Sequence, residues 1–377
     1  MNSVGFRTVK SRSFSFDEVP KTDQPSGFSA SVIRARRFAA LELAGEKLSL
    51  SLSGSNGYYV QGTFFARNFP LTKLPDIFFP MSILLTSFES LLGLPEFVAY
   101  IFIFIVGACV GSFLNVVIYR VPNEMSVVFP NSACPNCKEA IKPYDNLPLL
   151  SWLMLRGKCR NCKNPISARY PAVELLTAML FVLVYWSVGF DWFLPIGLIF
   201  TAAMVALIFI DAENMILPDV ITYPLLFFAL IIRLLFPIFV DVERFADINI
   251  FPLTYLQSYP IWLVSLVGAI LGGLVGGGSL WLVGELWKRL RGVDAMGLGD
   301  VKMMFAVGAL LGWRLTLLSI FLGAFSGAII GIFLISRQKD KDMQTQIPFG
   351  IFLGIGSIIA LLFGESIIKW YLQMFAR

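Results

Sequence analysis

The chain has 377 residues, of which 56% are hydrophobic and 15% charged, against roughly 25% charged in a soluble domain, so an ordinary water-soluble protein is excluded. Histidine is absent, which removes every imidazole-based triad and every His-containing metal site and leaves carboxylates, Lys, Cys, Ser and Tyr for any chemistry. The formal charge of +5 is small for this length, so no nucleic-acid partner is expected.

Residues 1–80 hold eleven Ser before residue 56, ten Lys/Arg and six Asp/Glu, and no apolar run long enough to cross a bilayer. A poorly ordered N-terminal extension, outside the working protein, is expected there. The start lacks the apolar core of a secretory signal. Asp17, Glu18, Asp23, Glu42 and Glu46 weaken a targeting peptide.

From residue 81 the composition predicts an all-α polytopic membrane protein. Apolar runs fall at about 95–118, 171–188, 193–210, 220–240, 260–284, 303–313, 314–336 and 350–374, giving about eight transmembrane helices in contact with membrane lipid. The runs do not alternate in the dyadic manner of an outer-membrane barrel. The sixth is short, and Gly312, Trp313 and Arg314 predict a tight turn into the seventh. The expected organisation is a first span within 81–119, a loop over 120–170 and a transmembrane core over 171–377. That loop carries Arg120, Lys138, Lys142, Arg156, Lys158, Arg160, Lys163 and Arg169, which places it in the cytoplasm by the positive-inside rule. Alternation puts 211–219, 285–302 and 337–347 on the same side. LGGLVGGG (271–278) and Gly323, Gly327 and Gly331 read as helix-packing positions without chemistry.

Cys134-Pro-Asn-Cys137 and Cys159-Arg-Asn-Cys162 lie within the cytoplasmic loop. Two CxxC turns can complete a closed four-sulfur site, and structural zinc is the reading preferred, with two disulfides or an iron–sulfur centre as alternatives. Such a metal would fold a loop that lacks a core of its own. Cys109, inside the first span, reads as packing.

Two acids stand at the inner ends of spans. Asp211 opens the stretch Asp211-Ala-Glu-Asn-Met-Ile-Leu-Pro-Asp219, and Asp300 closes Gly297-Leu-Gly299-Asp300, ahead of Lys302. Glycines at 297 and 299 free the backbone for special torsions and let a substrate strand approach. Two carboxylates brought together do not both ionise, and a base beside a proton donor is the machinery of an aspartic protease. The plainer reading is that both acids only end helices at the water interface. A proton-coupled acidic pair of a transporter is a further one.

GSFLNVVIYRVP (111–122), the paired CxxC loop, ARYPAVELLTA (168–178), the DxxxxxLPD stretch (211–219), GLGDVK (297–302) and IPFGIFLG (347–354) stand in an order that resembles the prepilin peptidases. These are GxGD-type aspartic proteases of type IV pilus and type II secretion systems, and the likeness covers about residues 85–375. It implies a catalytic pair Asp211 and Asp300, with Asp219, Gly297, Gly299 and Lys302 in support. It implies removal of a basic leader from type IV prepilins and pseudopilins at the cytoplasmic face of the bacterial inner membrane. Members with a long cysteine-bearing loop also methylate the new N-terminal amine with S-adenosylmethionine, so that activity is implied too. Family members start just before the first span, as this chain would from Met81. The eight-span topology would put ten bases outside, against the charge rule, so a chain beginning at Met81 is expected to insert and act. The alternative function is a proton-coupled transporter with a zinc-stapled loop, and a non-catalytic scaffold is a third.

Overall fold

The computed structural model describes residues 48–53, 59–64, 93, 95–134, 136–235, 237, 259–293, 296–337 and 348–375. The chain divides into two units, Met1–Phe78 and Phe79–Arg377. In the first, β1 (Leu48–Ser53) pairs antiparallel with β2 (Tyr59–Phe64), with Leu48 opposite Phe64. The alternation LSLSLS has the period of a strand, which the reading of 1–80 as a poorly ordered extension did not use. The remainder of that expectation lies outside the described residues.

The second unit is built from helices, as lipid demands of any backbone that must satisfy its own N–H and C=O groups. They are α1 (Glu96–Arg120), the short α2 (Leu150–Met154), α3 (Arg169–Val188), α4 (Phe193–Asn214), α5 (Asp219–Leu235), α6 (Ile261–Gly273), α7 (Ser279–Arg291), α8 (Leu298–Arg337) and α9 (Phe349–Phe375). A single π-turn, Leu274–Gly278, joins α6 to α7 without a break. Six helices among the described residues are long and apolar enough to cross a membrane. Two facts reconcile them with the eight apolar runs. α5 is described over 17 residues, just short of a full span, and α8 is two helices joined at Gly312, whose φ of 78° and ψ of 170° are not helical.

The partners of α9 show that Gly312 reverses the chain. Asp300 faces Gly350 and Ser357 reaches Met304, so the first arm of α8 runs alongside α9 in the same direction. Gly323 faces Leu353, and Gly364 faces Leu315, so the second arm runs the opposite way. The bend strands carbonyls that would have bonded forward across it. Arg233, fully buried on α5, donates from Nε to the Ala309 carbonyl at 3.3 Å and from Nη2 to the Leu310 carbonyl at 2.9 Å. The sequence reading passed over this arginine, although a cation within an apolar run is the signal that marks it. Three buried hydroxyls are satisfied locally: Thr316, Ser319 and Ser357 donate to the carbonyls of Gly312, Leu315 and Leu353, one turn back.

Phe200, Met204, Leu207 and Ile210 of α4 and Met303, Met304, Leu310 and Leu311 of α8 belong to one buried core. Burial from lipid gives no hydrophobic gain, so close van der Waals contact must hold the helices together. Small residues supply it. Gly107 and Gly111 of α1 lie on the backbone of Ala178 and Glu174, while Gly272 and Gly276 lie on the carbonyls of Gly308 and Met304. The glycine-rich run at 271–278 is thus a packing face, as its spacing suggested. Two of these glycines make a matched test. Ala at Gly276 would drive its methyl into the Met304 carbonyl, whereas Ala at Gly278 has open space within 4 Å. Thermal unfolding of the purified protein should show Gly276→Ala destabilised by about 1–3 kcal/mol and Gly278→Ala unchanged to within about 0.5 kcal/mol.

Candidate active site and metal centre

The last turn of α4 ends where Met215 takes a left-handed φ of 54° and its N–H closes on the Asp211 carbonyl at 2.9 Å. The chain then folds back through Leu217 and restarts at Asp219 as α5. Leu217 lands on Gly299: a Cβ on that glycine would lie 2.9 Å from the Leu217 Cβ. Gly299 therefore serves close packing of the GLGD segment, which delivers Asp300 into the first turn of α8. Neither Gly297 nor Gly299 has a positive φ, so the special torsions expected of them are not used.

Asp211 and Asp300 are both buried, at 5% and 9% exposure. Their carboxylates meet over Gly350, at the start of α9. The place a Cβ would take on that glycine is 2.8 Å from Asp211 Oδ2 and 3.0 Å from Asp300 Oδ1. Any side chain at 350 would fill the space between the two acids. The first N–H groups of a helix have no internal partner, and here one is used: the Ile351 N–H donates to Asp211 Oδ2 at 3.0 Å. IPFGIFLG was legible as a motif, but neither Gly350 nor the Ile351 N–H was singled out as part of a site. Only the return of the chain into α9 brings them there.

Asp219 and Lys302 form a separate pair. Lys302 Nζ donates to both Asp219 oxygens, at 2.8 and 2.9 Å, and lies 5.1 Å from the Tyr223 ring centre. Two residues along a helix turn a side chain by about 200°, so Lys302 points away from Asp300 and does not sit on the acid it was expected to assist.

The 120–170 loop is organised by two small hairpins of the same design. Ala133 pairs with Ala140 and Lys158 with Pro165. The Cys134 N–H donates to the Glu139 carbonyl and the Cys159 N–H to the Asn164 carbonyl, each at 2.9 Å. The lysine after each second cysteine, Lys138 or Lys163, has a φ of 60° or 59°. All four cysteines are free. Their sulfurs lie within 4.8 Å of one another, with Cys134 to Cys162 at 3.8 Å and Cys137 to Cys159 at 4.0 Å. A tetrahedron of thiolates at the zinc–sulfur distance has edges of about 3.8 Å, so the donor set could hold a metal ion. Without a cation the four could not all ionise. The Cys137 N–H draws the Cys134 thiol down to about 6. Cys162 accepts the Asn164 N–H, yet burial and the three neighbouring sulfurs push it up to about 11.

Around the sulfurs, Arg160 grips Asp145 through Nε and Nη2, at 2.7 and 2.6 Å, and holds its carboxyl below the usual range. The loop is fastened to the bundle by the Leu149 N–H, which donates to Glu174 Oε2 at 2.7 Å, and by Asn115 Nδ2, which donates to the Tyr170 carbonyl at 3.0 Å. Arg169 Nη1 reaches Glu213 Oε1 at 2.7 Å, two residues beyond Asp211. These bonds join the GSFLN and ARYPAVELLTA motifs to the cysteine loop and to the last turn of α4.

Two family descriptions match the chain: Bacterial Peptidase A24 N-terminal domain over residues 105–188, and Type IV leader peptidase family over residues 198–332. Among curated proteins, the prepilin leader peptidase/N-methyltransferase of Aeromonas hydrophila is 38% identical over 307 residues, 75% of this chain and 97% of that protein. Its namesake in Pseudomonas aeruginosa is 38% identical over 292 residues, 71% of this chain and 92% of that one. The Neisseria gonorrhoeae protein of the same name is 37% identical over 295 residues, covering 71% and 93%. No solved structure matches. The relatives give the transporter reading no support. With matches on both halves of its helical unit, and relatives that it covers almost end to end, the chain belongs to the type IV leader peptidase family.

Proposed function

We propose that this multi-pass membrane protein is an aspartic endopeptidase that removes the leader of type IV prepilins and N-methylates the residue it exposes. The observation that carries the peptidase reading is the meeting of Asp211 and Asp300 over Gly350. One carboxylate takes a proton from water as that water attacks the peptide carbonyl. The other, holding the shared proton, gives it to the departing amine. The Ile351 N–H keeps Asp211 oriented, and the Asp219–Lys302 pair joins the start of α5 to α8 on the same side of the bundle. Type II secretion pseudopilins, which share a basic leader followed by an apolar stem, are substrates of the same kind. A site at the inner face of the bacterial cytoplasmic membrane suits both parts of that substrate, and the basic loop of residues 120–170 supports this side. Zinc is the metal we assign to Cys134, Cys137, Cys159 and Cys162. With four thiolates it leaves no position for water, so its part is to fold the loop. S-adenosylmethionine, when bound, supplies the methyl group.

Asp211→Asn and Asp300→Asn should each lower prepilin cleavage by at least about a hundredfold while the protein stays folded and inserted. Gel-shift of a prepilin in membranes reads this directly, and cleavage near the wild-type rate by either variant would overturn the pair. Gly350→Ala should lower kcat by about a hundredfold, because its methyl would part the carboxylates.

The purified protein should hold one zinc per chain by elemental analysis. Ser at any of the four cysteines should release it and raise hydrogen exchange across 120–168 without displacing the acids. Protein purified without chelator and free of zinc would remove the assignment.

A further inference from the structure

Arg169 is only partly used by the bonds described so far. Its Nη1 holds Glu213, but Nε and Nη2, which form the two-pronged edge of the guanidinium, are shielded from solvent and meet no acceptor. The chain shows elsewhere what that edge takes: in Arg160 the same two nitrogens clasp the Asp145 carboxylate. Asn115, on α1, is 5% exposed. Its Nδ2 donates to the carbonyl of Tyr170, the residue next to Arg169, while its Oδ1 accepts nothing. Buried polar groups left without partners are costly and uncommon. A fork that wants a carboxylate and an amide oxygen that wants a donor are the complement of an α-amino acid, which carries a carboxylate and an ammonium on one carbon.

We infer that Arg169 and Asn115 seat the α-amino-acid end of the methyl donor S-adenosylmethionine, the carboxylate on Arg169 Nε and Nη2 and the ammonium on Asn115 Oδ1. This rests on the N-methyltransferase reading above. The location fits the chemistry. Arg169 is joined through Glu213 to the helix that carries Asp211, about 3 Å of rise past that acid and turned from it by about 200°, so a donor held there lies at the same end of α4 as the acids, on another face of that helix. In the transfer, the lone pair of the amine forms a bond to the methyl carbon and the sulfur–methyl bond breaks. Its electrons neutralise the sulfonium to a thioether, and the nitrogen releases one proton to water.

The test compares two probes on the full chain in detergent by equilibrium dialysis: S-adenosylmethionine, and 5′-methylthioadenosine, which lacks the amino-acid end. Arg169→Gln and Asn115→Leu should each weaken S-adenosylmethionine binding by about tenfold or more and move methylthioadenosine by less than about twofold. Arg169→Lys, which keeps a cation without the fork, should behave like Arg169→Gln and serves if that variant does not fold. Glu213→Gln, which cuts the tether but leaves the fork, should retain S-adenosylmethionine binding within about threefold. If both Arg169 variants bind S-adenosylmethionine as the wild type does, the unpaired edge takes no part in binding and the inference is wrong. If the two probes weaken together, the residues act on the fold and not on the amino-acid end. Wild-type protein that binds neither probe overturns the methyltransferase reading itself, a result distinct from the other two.

Discussion

Two acids buried side by side in a helical membrane bundle repel each other and lose their water, so everything near them must make the arrangement tolerable. In this protein the space between Asp211 and Asp300 is left open by the missing side chain of Gly350, and one oxygen of Asp211 accepts the Ile351 N–H at the start of α9. The reversal at Gly312 returns the chain so that α9 can begin on the side where α8 began. Arg233 covers the carbonyls exposed by that reversal. The packing of Leu217 on Gly299 sets how near Asp300 comes to the end of α4. These features come from α5, α8, α9 and the turn between α4 and α5, yet each bears on how the same two acids are held.

The cysteine loop is a different kind of construction. It gains little from burial, since its hairpins are mostly exposed, and its order depends on the four sulfurs and a few charge-assisted bonds. Glu174 and Arg169 are the points at which this order reaches the bundle. The function proposed above, cleavage followed by methylation of the freed amine, gives reason to join the second chemistry to the first through a short rigid path. The bonds from Asn115 to Tyr170 and from Arg169 to Glu213 supply a path of that kind for the proposed donor site.

Much of this was legible in the sequence because lipid imposes simple rules. Apolar runs located the helices, two CxxC turns located the sulfurs, and Gly312 marked the turn between two spans. Asp211 and Asp300 stood out because carboxylates are costly near the membrane. What stayed hidden depends on contacts distant in the chain. Nothing in IPFG says that its glycine will lie between two acids carried by α4 and α8, far earlier in the chain. Lys302, two positions from Asp300, suggested a partner by proximity, but helical geometry turned it toward Asp219. Arg233 was marked in the sequence only as a cation within an apolar run, and its task exists only once the helix beside it bends.

The central claim is that Asp211 and Asp300 face one another across the α4–α8 boundary. The most direct measurement places cysteines at both positions, with Cys109→Ala to remove the free thiol of the first span, and oxidises native membranes with copper phenanthroline. A second chain with cysteines at Leu217 and Gly299, whose Cβ atoms would lie 2.9 Å apart, serves as the control. The account predicts rapid disulfide formation between positions 211 and 300, matching the control. Membranes in which the control pair closes and the 211–300 pair stays reduced would contradict it.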